Sequence, residues 1–304
     1  MRTSYAYART RARRSTLLRP EQVDALRAAS GHAAAVAALR SNGIDARDAA
    51  AASRACLARF VADAERLAAS WPHPDLLLAI VGLIEMENLE LGCRAVRTGA
   101  AAEVWKPLWR PLGKVSRLPI EAFTDAPSLR AALDRLPPLP WGDAARWALR
   151  AHEDDPAAFE MALDTFASRR MLDAEAASGA RRLAASLVRI RDVDAVSRAA
   201  ARGRTAEAAA TATALLRREL RPESLRALAA GELTDAARAF FKCPARTVSA
   251  LLDGLRARLR ADCLRTFAGA PFQLACAVAL LLLRIEEMRV VTSIAETQLD
   301  REAA

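Results

Sequence analysis

Six carboxylates stand in pairs near the polar ends of three long apolar runs: Glu85 and Glu87, Asp192 and Asp194, Glu286 and Glu287. Acids on neighbouring helices can hold a dinuclear iron centre, but that chemistry needs Glu-x-x-His, and no histidine follows any of the six. The three histidines, His32, His73 and His152, lie in separate segments with no ligand spacing to one another or to cysteine, which argues against a zinc site or a catalytic imidazole. Glu153-Asp154-Asp155-Pro156 resembles a metal or diphosphate cluster, yet no second acidic motif stands at a comparable depth. An acidic run just before a proline is the ordinary start of a helix.

Other reactive patterns are missing. There is no glycine-rich phosphate loop, no Walker sequence and no GxSxG elbow. Lysine occurs only as Lys106, Lys114 and Lys242, and twelve glycines leave little material for substrate-cradling loops. The expected content is therefore no catalytic residue, no cofactor and no metal, and a binding or mechanical part fits better than an enzyme. The six acids are expected to pair with arginines of adjacent helices where each run leaves the core.

The elements that carry these acids repeat. Pro74 to Gly99, Gly179 to Gly203 and Pro271 to Leu299 each run as an apolar helix to the acidic step and then turn polar. Upstream of each stands an apolar residue followed by Arg-Pro: Leu18-Arg19-Pro20, Trp109-Arg110-Pro111 and Leu220-Arg221-Pro222. Pro20 lies 65 positions before Glu85, and Pro222 lies 65 before Glu287, whereas Pro111 to Asp194 is 83. Repetition of order and spacing takes priority in deciding architecture. The chain reads as one all-α domain, 1–304, of three related helical units, about 1–107, 108–218 and 219–304.

Between these runs the same periodicity predicts further helices. Tyr5 to Leu18 is amphipathic with a strongly basic face. The next helix starts at Pro20 and carries Val23 and Leu26 on one face; a third places Val36 and Leu39 before the Asn42-Gly43 turn. Ala46 to Ser70 follows, carrying Cys56, Phe60, Val61 and Leu67. Seven prolines between Pro107 and Pro140 predict short helices and fixed loops, with Trp105 and Trp109 packed together and Trp141 and Trp147 anchoring the next helix. Thr205 to Leu220, Pro222 to Ala230, Ala236 to Phe241 and Thr247 to Phe267 complete the helical segments, and Asp300 to Ala304 is expected to fray.

Composition agrees with this reading. Of 304 residues 53% are apolar and only 5% aromatic, enough for a large core built on Ala and Leu. The net charge of +9 is almost entirely arginine, but Arg alternates with Asp and Glu as on solvated helix faces. Nucleic-acid binding, which needs basic clusters interleaved with aromatics, is not expected. The dense cluster is Arg9, Arg11, Arg13 and Arg14. The five cysteines form no CxxC pair and sit in apolar runs, as reduced core residues of a cytosolic protein do. No signal peptide is visible, and the longest apolar run, Ala275 to Leu283, is too short to span a bilayer.

Short motifs in this frame carry a family resemblance. Tyr5-Ala6-Tyr7-Ala8-Arg9-Thr10-Arg11-Ala12 and Leu17-Leu18-Arg19-Pro20-Glu21 resemble the opening of the C subunit of V-type and A-type rotary ATPases, whose eukaryotic counterpart is called the d subunit. Glu85-Met86-Glu87-Asn88-Leu89, with Arg94 beyond it, is similar to that family's Glu-x-x-Asn-Leu step, and Glu287-Met288-Arg289 falls where the family repeats it. Two departures stand out: Val290 replaces the usual Asn in the last copy, and Asp192 to Ser197 matches loosely in the middle one.

The resemblance implies an all-helical funnel of three units around a pseudo-threefold axis. It implies a non-catalytic subunit on the cytoplasmic face of a membrane, receiving the central-stalk subunits and seated on the proteolipid ring, with proton or sodium as the transported ion. Arg9, Arg11, Arg13 and Arg14 are then candidates for an interaction surface, and Tyr7, Glu85, Asn88, Arg94 and Glu287 for structural family positions. Three alternatives remain: a cytosolic helical repeat scaffold that binds a partner helix, a helical nucleic-acid binder, and a helical prenyl-transfer enzyme.

Overall fold

The computed structural model describes residues 2–201, 220–270 and 273–299. Among them are fourteen α-helices and no strand. In chain order these are α1 (Arg2–Arg14), α2 (Pro20–Ala28), α3 (His32–Ser41), α4 (Ala49–Ser70), α5 (Asp75–Thr98), α6 (Ala102–Trp105) and α7 (Leu129–Asp134). They continue as α8 (Asp143–Ala151), α9 (Pro156–Asp173), α10 (Ser178–Ala201), α11 (Pro222–Ala229), α12 (Asp235–Phe241), α13 (Val248–Thr266) and α14 (Leu274–Gln298). The all-α class is as the sequence indicates. Most of the segment expected over Thr205 to Leu220 lies outside the described residues, as do Pro271 and Asp300 to Ala304.

Local chemistry sets the helix ends. Pro20 opens α2, where its missing N–H costs nothing, and the Gln22 side chain accepts from the Arg19 amide at 2.8 Å. Asp48 caps α4 by accepting from the Ala51 amide, and Asp155 caps α9 by accepting from the amides of Ala157 and Ala158. The acidic run at 153–155 is therefore a helix start. Gly99 follows α5 with φ +62, the left-handed cap that glycine adopts without strain.

Helix α1 stops at Arg14, four residues before the expected Leu18. The Ser15 and Thr16 hydroxyls donate to the carbonyls of Ala12 and Arg13, and the Thr16 and Leu17 amides turn back to Arg13 and Arg14. Short hydroxyl side chains offer the backbone this alternative to continued helix.

The chain divides into two compact units. The first comprises Met1–Leu78, Leu112–Val115 and Cys263–Ala304. At its centre α4 packs along α14, and α1 lies against both. From Ala275 to Leu283 every side chain of α14 is buried, and it is this uniform burial that makes the helix apolar all round. Each fully buried leucine contributes roughly 2 kcal/mol.

The second unit comprises Ala79–Pro111 and Ser116–Asp262. Here α9 packs between α8 and α10, and α10 meets α11. Trp105 and Trp109 meet edge to face, 6.1 Å between ring centroids, and Trp141 meets Phe166 at 5.7 Å. Trp147 departs from expectation. It is 57% exposed, edge-on to His152, because the buried stripe of α8 runs through Ala145, Ala148 and Leu149 and leaves position 147 outside.

Candidate functional site

The acidic steps and the basic N-terminal helix are the functional candidates, and the structure treats each step differently. In the first unit the step of α14 joins a buried charge cluster. Arg284 is 1% exposed, and its Nε donates to Asp63 on α4 at 2.8 Å. Further Arg284 N–H groups donate to Glu287, to the Thr16 hydroxyl and, at 3.2 Å, to the Thr16 carbonyl.

Arg13 of α1 donates to the other Asp63 oxygen at 2.5 Å, and Arg59 of α4 reaches Glu287 at 3.4 Å. Burial works against the Arg284 charge, but the two carboxylates outweigh it and hold its pKa above the ordinary arginine value. Three guanidiniums and two carboxylates thereby tie α1, α4 and α14 together. Buried charges of this kind are sustained by partners, since removing one leaves another uncompensated.

The same cluster divides the basic quartet. Arg13 is held by Asp63, and the Arg14 guanidinium lies 4.9 Å from the Phe267 ring centroid. Arg9 and Arg11 are exposed on α1, where Arg9 stacks on Tyr5 at 4.2 Å and Arg11 donates to the Tyr7 hydroxyl at 3.3 Å. Tyr7 itself is buried.

In the second unit the step of α5 is a loop clamp. Glu85, 3% exposed, accepts from the Ser116 hydroxyl at 2.7 Å, the Arg117 amide at 3.0 Å and the Trp141 indole at 2.9 Å. Asn88 holds Arg110 through both ends of its amide, donating to the carbonyl at 2.7 Å and accepting from the N–H at 2.9 Å. Glu87 pairs with the Arg110 side chain. The Glu-x-x-Asn motif thus pins the proline-rich segment to α5 with one residue of each turn.

Arg94, nearly two turns on, donates to Glu160 of α9 at 2.7 Å, and that hydrogen bond raises its pKa. Beside it Asp164 of α9 accepts from Arg191 and Arg198 of α10 at 2.6 and 3.1 Å. Burial opposes the Arg198 charge, and Asp164 and Asp194 more than offset it. Glu90 faces the same cluster from α5, and its Oε1 has no hydrogen-bond partner among the described residues. Burial pushes the Glu90 carboxyl up to about 8, Asp164 and Glu160 push it the same way, and Arg191 and Arg198 oppose them.

The expected pairing of the six acids with arginines of adjacent helices holds only in part. It is met by Glu287 with Arg59 and by Asp194 with Arg256 of α13 at 3.7 Å. Glu286 pairs within its own helix, with Arg289, and Asp192 is buried against Ser168. Glu85 and Glu87 bind the loop instead, because the proline-rich segment and not a helix covers the middle of α5. Asp63, Arg284, Glu90 and Asp164 escaped the sequence reading, as did the hydrogen bond from Trp141 to Glu85. Arg284 carried a signal, a lone cation inside an otherwise apolar run, which marks a charge that must find buried partners.

These hydrogen bonds and ion pairs fix elements to one another. No group of three or more His, Cys, Asp or Glu is placed to hold a metal ion among the described residues. All five cysteines are buried and none forms a disulfide among the described residues; burial raises the Cys56 thiol to about 12 and also raises those of Cys93 and Cys276. No helix among the described residues is long and apolar enough to cross a membrane. No curated protein is similar enough to this chain to match it. The family model described as ATP synthase (C/AC39) subunit matches residues 6–301. That span takes in the N-terminal Tyr-Ala-Arg pattern, the loop clamp at Glu85 and the charge cluster at Glu287, and the chain belongs to the ATP synthase (C/AC39) subunit family.

Proposed function

We propose that this chain is a non-catalytic, rotor-coupling subunit of a V/A-type rotary ATPase, linking the central stalk to the membrane proteolipid ring during proton or sodium transport. The single observation behind this reading is the family match over residues 6–301, nearly the whole chain. The subunit would be peripheral, on the cytoplasmic face, and would meet the membrane only through the complex. The organisation of 1–304 as repeat units of about 1–107, 108–218 and 219–304 in a pseudo-threefold funnel belongs to the same proposal, as do Arg9, Arg11, Arg13 and Arg14 as interaction residues.

Physical chemistry supports a coupling part. Transmitting torque requires elements that do not shear, and the Asp63–Arg284–Glu287 cluster and the Glu85 clamp cross-link elements through buried, directional bonds. Arginines on an exposed helix suit acidic partner groups, which they can meet bidentately.

The test is affinity purification of the tagged chain from gently solubilised native membranes. Co-purification of a proteolipid ring together with nucleotide-binding ATPase subunits is the expected result. Recovery of the chain with neither, from cells that contain both, would overturn the coupling role and favour a helical scaffold with another partner.

A further inference from the structure

Within the second unit, α10, the end of α12 and α13 surround a cavity of about 240 Å³. Its polar lining is Ser186, Arg189, Lys242, Arg258 and Asp262, and Phe240 and Phe241 form an apolar wall, edge to face at 4.9 Å. Three cations face one carboxylate, so the described lining carries a formal charge of +2. None of these groups takes part in the clusters described above.

Two of the cations are placed by backbone chemistry. Arg258 donates to the carbonyls of Phe241 and Lys242, each at 2.7 Å, which satisfies the open end of α12 and leaves the guanidinium in no ion pair with a carboxylate among the described residues. Lys242 ends α12 in the left-handed region, φ 49 and ψ 43, where glycine is the unstrained choice. It is exposed and makes no ion pair among the described residues. A non-glycine residue in this cap conformation costs about 1 kcal/mol.

Size and charge narrow the ligand. The cavity holds the equivalent of about eight waters, taking each water as about 30 Å³, which is below the span of drug-sized pockets. A phosphomonoester carries close to two negative charges at neutral pH, matching the lining, whereas a monocarboxylate would leave one charge uncompensated. Arginine recognises phosphate bidentately, and the phenylalanine wall suits a short apolar group. The geometry points to a binding site for a small phosphomonoester anion, held by Arg189, Lys242, Arg258 and Ser186 against Phe240 and Phe241. This site stands independently of the rotor-coupling role. The phosphate could belong to a soluble metabolite or to a phosphatidate headgroup.

Calorimetric titration of the full chain with phenyl phosphate tests the site. Saturable binding is expected, weakened about tenfold in Lys242→Gly by loss of one charged contact. Glycine accepts the left-handed conformation, so the melting temperature of that variant is not expected to fall. Arg54→Gln, an exposed charge on α4, should bind as the parent does. Phosphatidylcholine vesicles with and without phosphatidate then separate the sources: competition by phosphatidate identifies the headgroup, and its absence identifies a soluble phosphate. No saturable binding of phenyl phosphate, or unchanged affinity in Lys242→Gly, would overturn the proposal.

Discussion

Glu85 shows how one side chain can organise a segment far from it in sequence. Its carboxylate accepts three hydrogen bonds, from a hydroxyl, a backbone amide and a buried indole, and two of those donors lie 31 and 56 residues away. Glu85→Ala removes the acceptor and leaves the Trp141 N–H and the Arg117 amide to be satisfied elsewhere. Each orphaned buried donor costs about 1–3 kcal/mol, so a loss on the order of 3 kcal/mol is expected in chemical denaturation. Glu85→Gln keeps one good acceptor and should cost about half of that. Equal stabilities for Glu85→Ala and the parent would show that the indole bond contributes nothing. The clamp also marks what could not be read from the chain. Glu85 stands out through its motif, but the motif points to helix arginines as partners, and only the folded path of the proline-rich segment brings Ser116 and Trp141 to it.

The packing of α5 against its neighbours depends on two further positions, one electrostatic and one steric. Glu90 of α5 feels the charges of Glu160 and Asp164 on α9 and of Arg191 and Arg198 on α10. Its folded pKa, about 8, is above that of an unfolded glutamate, so the folded state holds the proton to higher pH. The cost of ionising Glu90 is therefore absent below the ordinary carboxylate range, grows as pH rises, and is complete above about 8. Glu90→Gln should match the parent near pH 4 and exceed it by on the order of 3 kcal/mol at pH 9, where urea denaturation gives the difference directly. A parallel pair of stability curves between those values would assign the pH dependence to another group. At Gly92 the limit is space. The Phe123 ring lies 2.5 to 2.8 Å from where a Cβ would stand, closer than real contacts allow. Gly92→Ala gains helix propensity of about 1 kcal/mol, yet it must displace a buried ring, and overpacking costs about 1–3 kcal/mol. A lowered melting temperature is expected, and a raised one would show that the ring moves freely. The helices themselves are clear from periodicity. The run read as Pro74 to Gly99 is helical over Asp75–Thr98, and the run from Pro271 is helical from Leu274, because apolar spacing and terminal residues are local signals. Glu90 and Phe123 give no such signal, since what makes them matter is the neighbour each acquires on folding.

Across the whole chain, the basic N-terminal helix is where assembly and stability can be told apart. Composition alone marks Arg9, Arg11, Arg13 and Arg14 as one group, but their surroundings differ. Arg13 neutralises Asp63, a residue with no solvent exposure of its side chain, and removing it leaves a buried carboxylate with Arg284 as its remaining partner. Arg13→Gln is therefore expected to lower the melting temperature of the isolated chain. Arg9 and Arg11 are exposed on α1, each beside a tyrosine ring, and exposed charges of this sort contribute little to folding. Under the proposed coupling role their charges serve association instead, through steering that weakens as salt screens it. The double variant Arg9→Gln/Arg11→Gln should keep the parent's melting temperature and circular dichroism. Its recovery in the membrane-bound complex should fall, and the deficit should be smallest when the parent complex is itself assembled at high salt. If the double variant assembles as the parent does at low salt, these two arginines are not part of the interface. If it unfolds, α1 depends on its stacked arginine–tyrosine pairs more than exposed contacts normally allow.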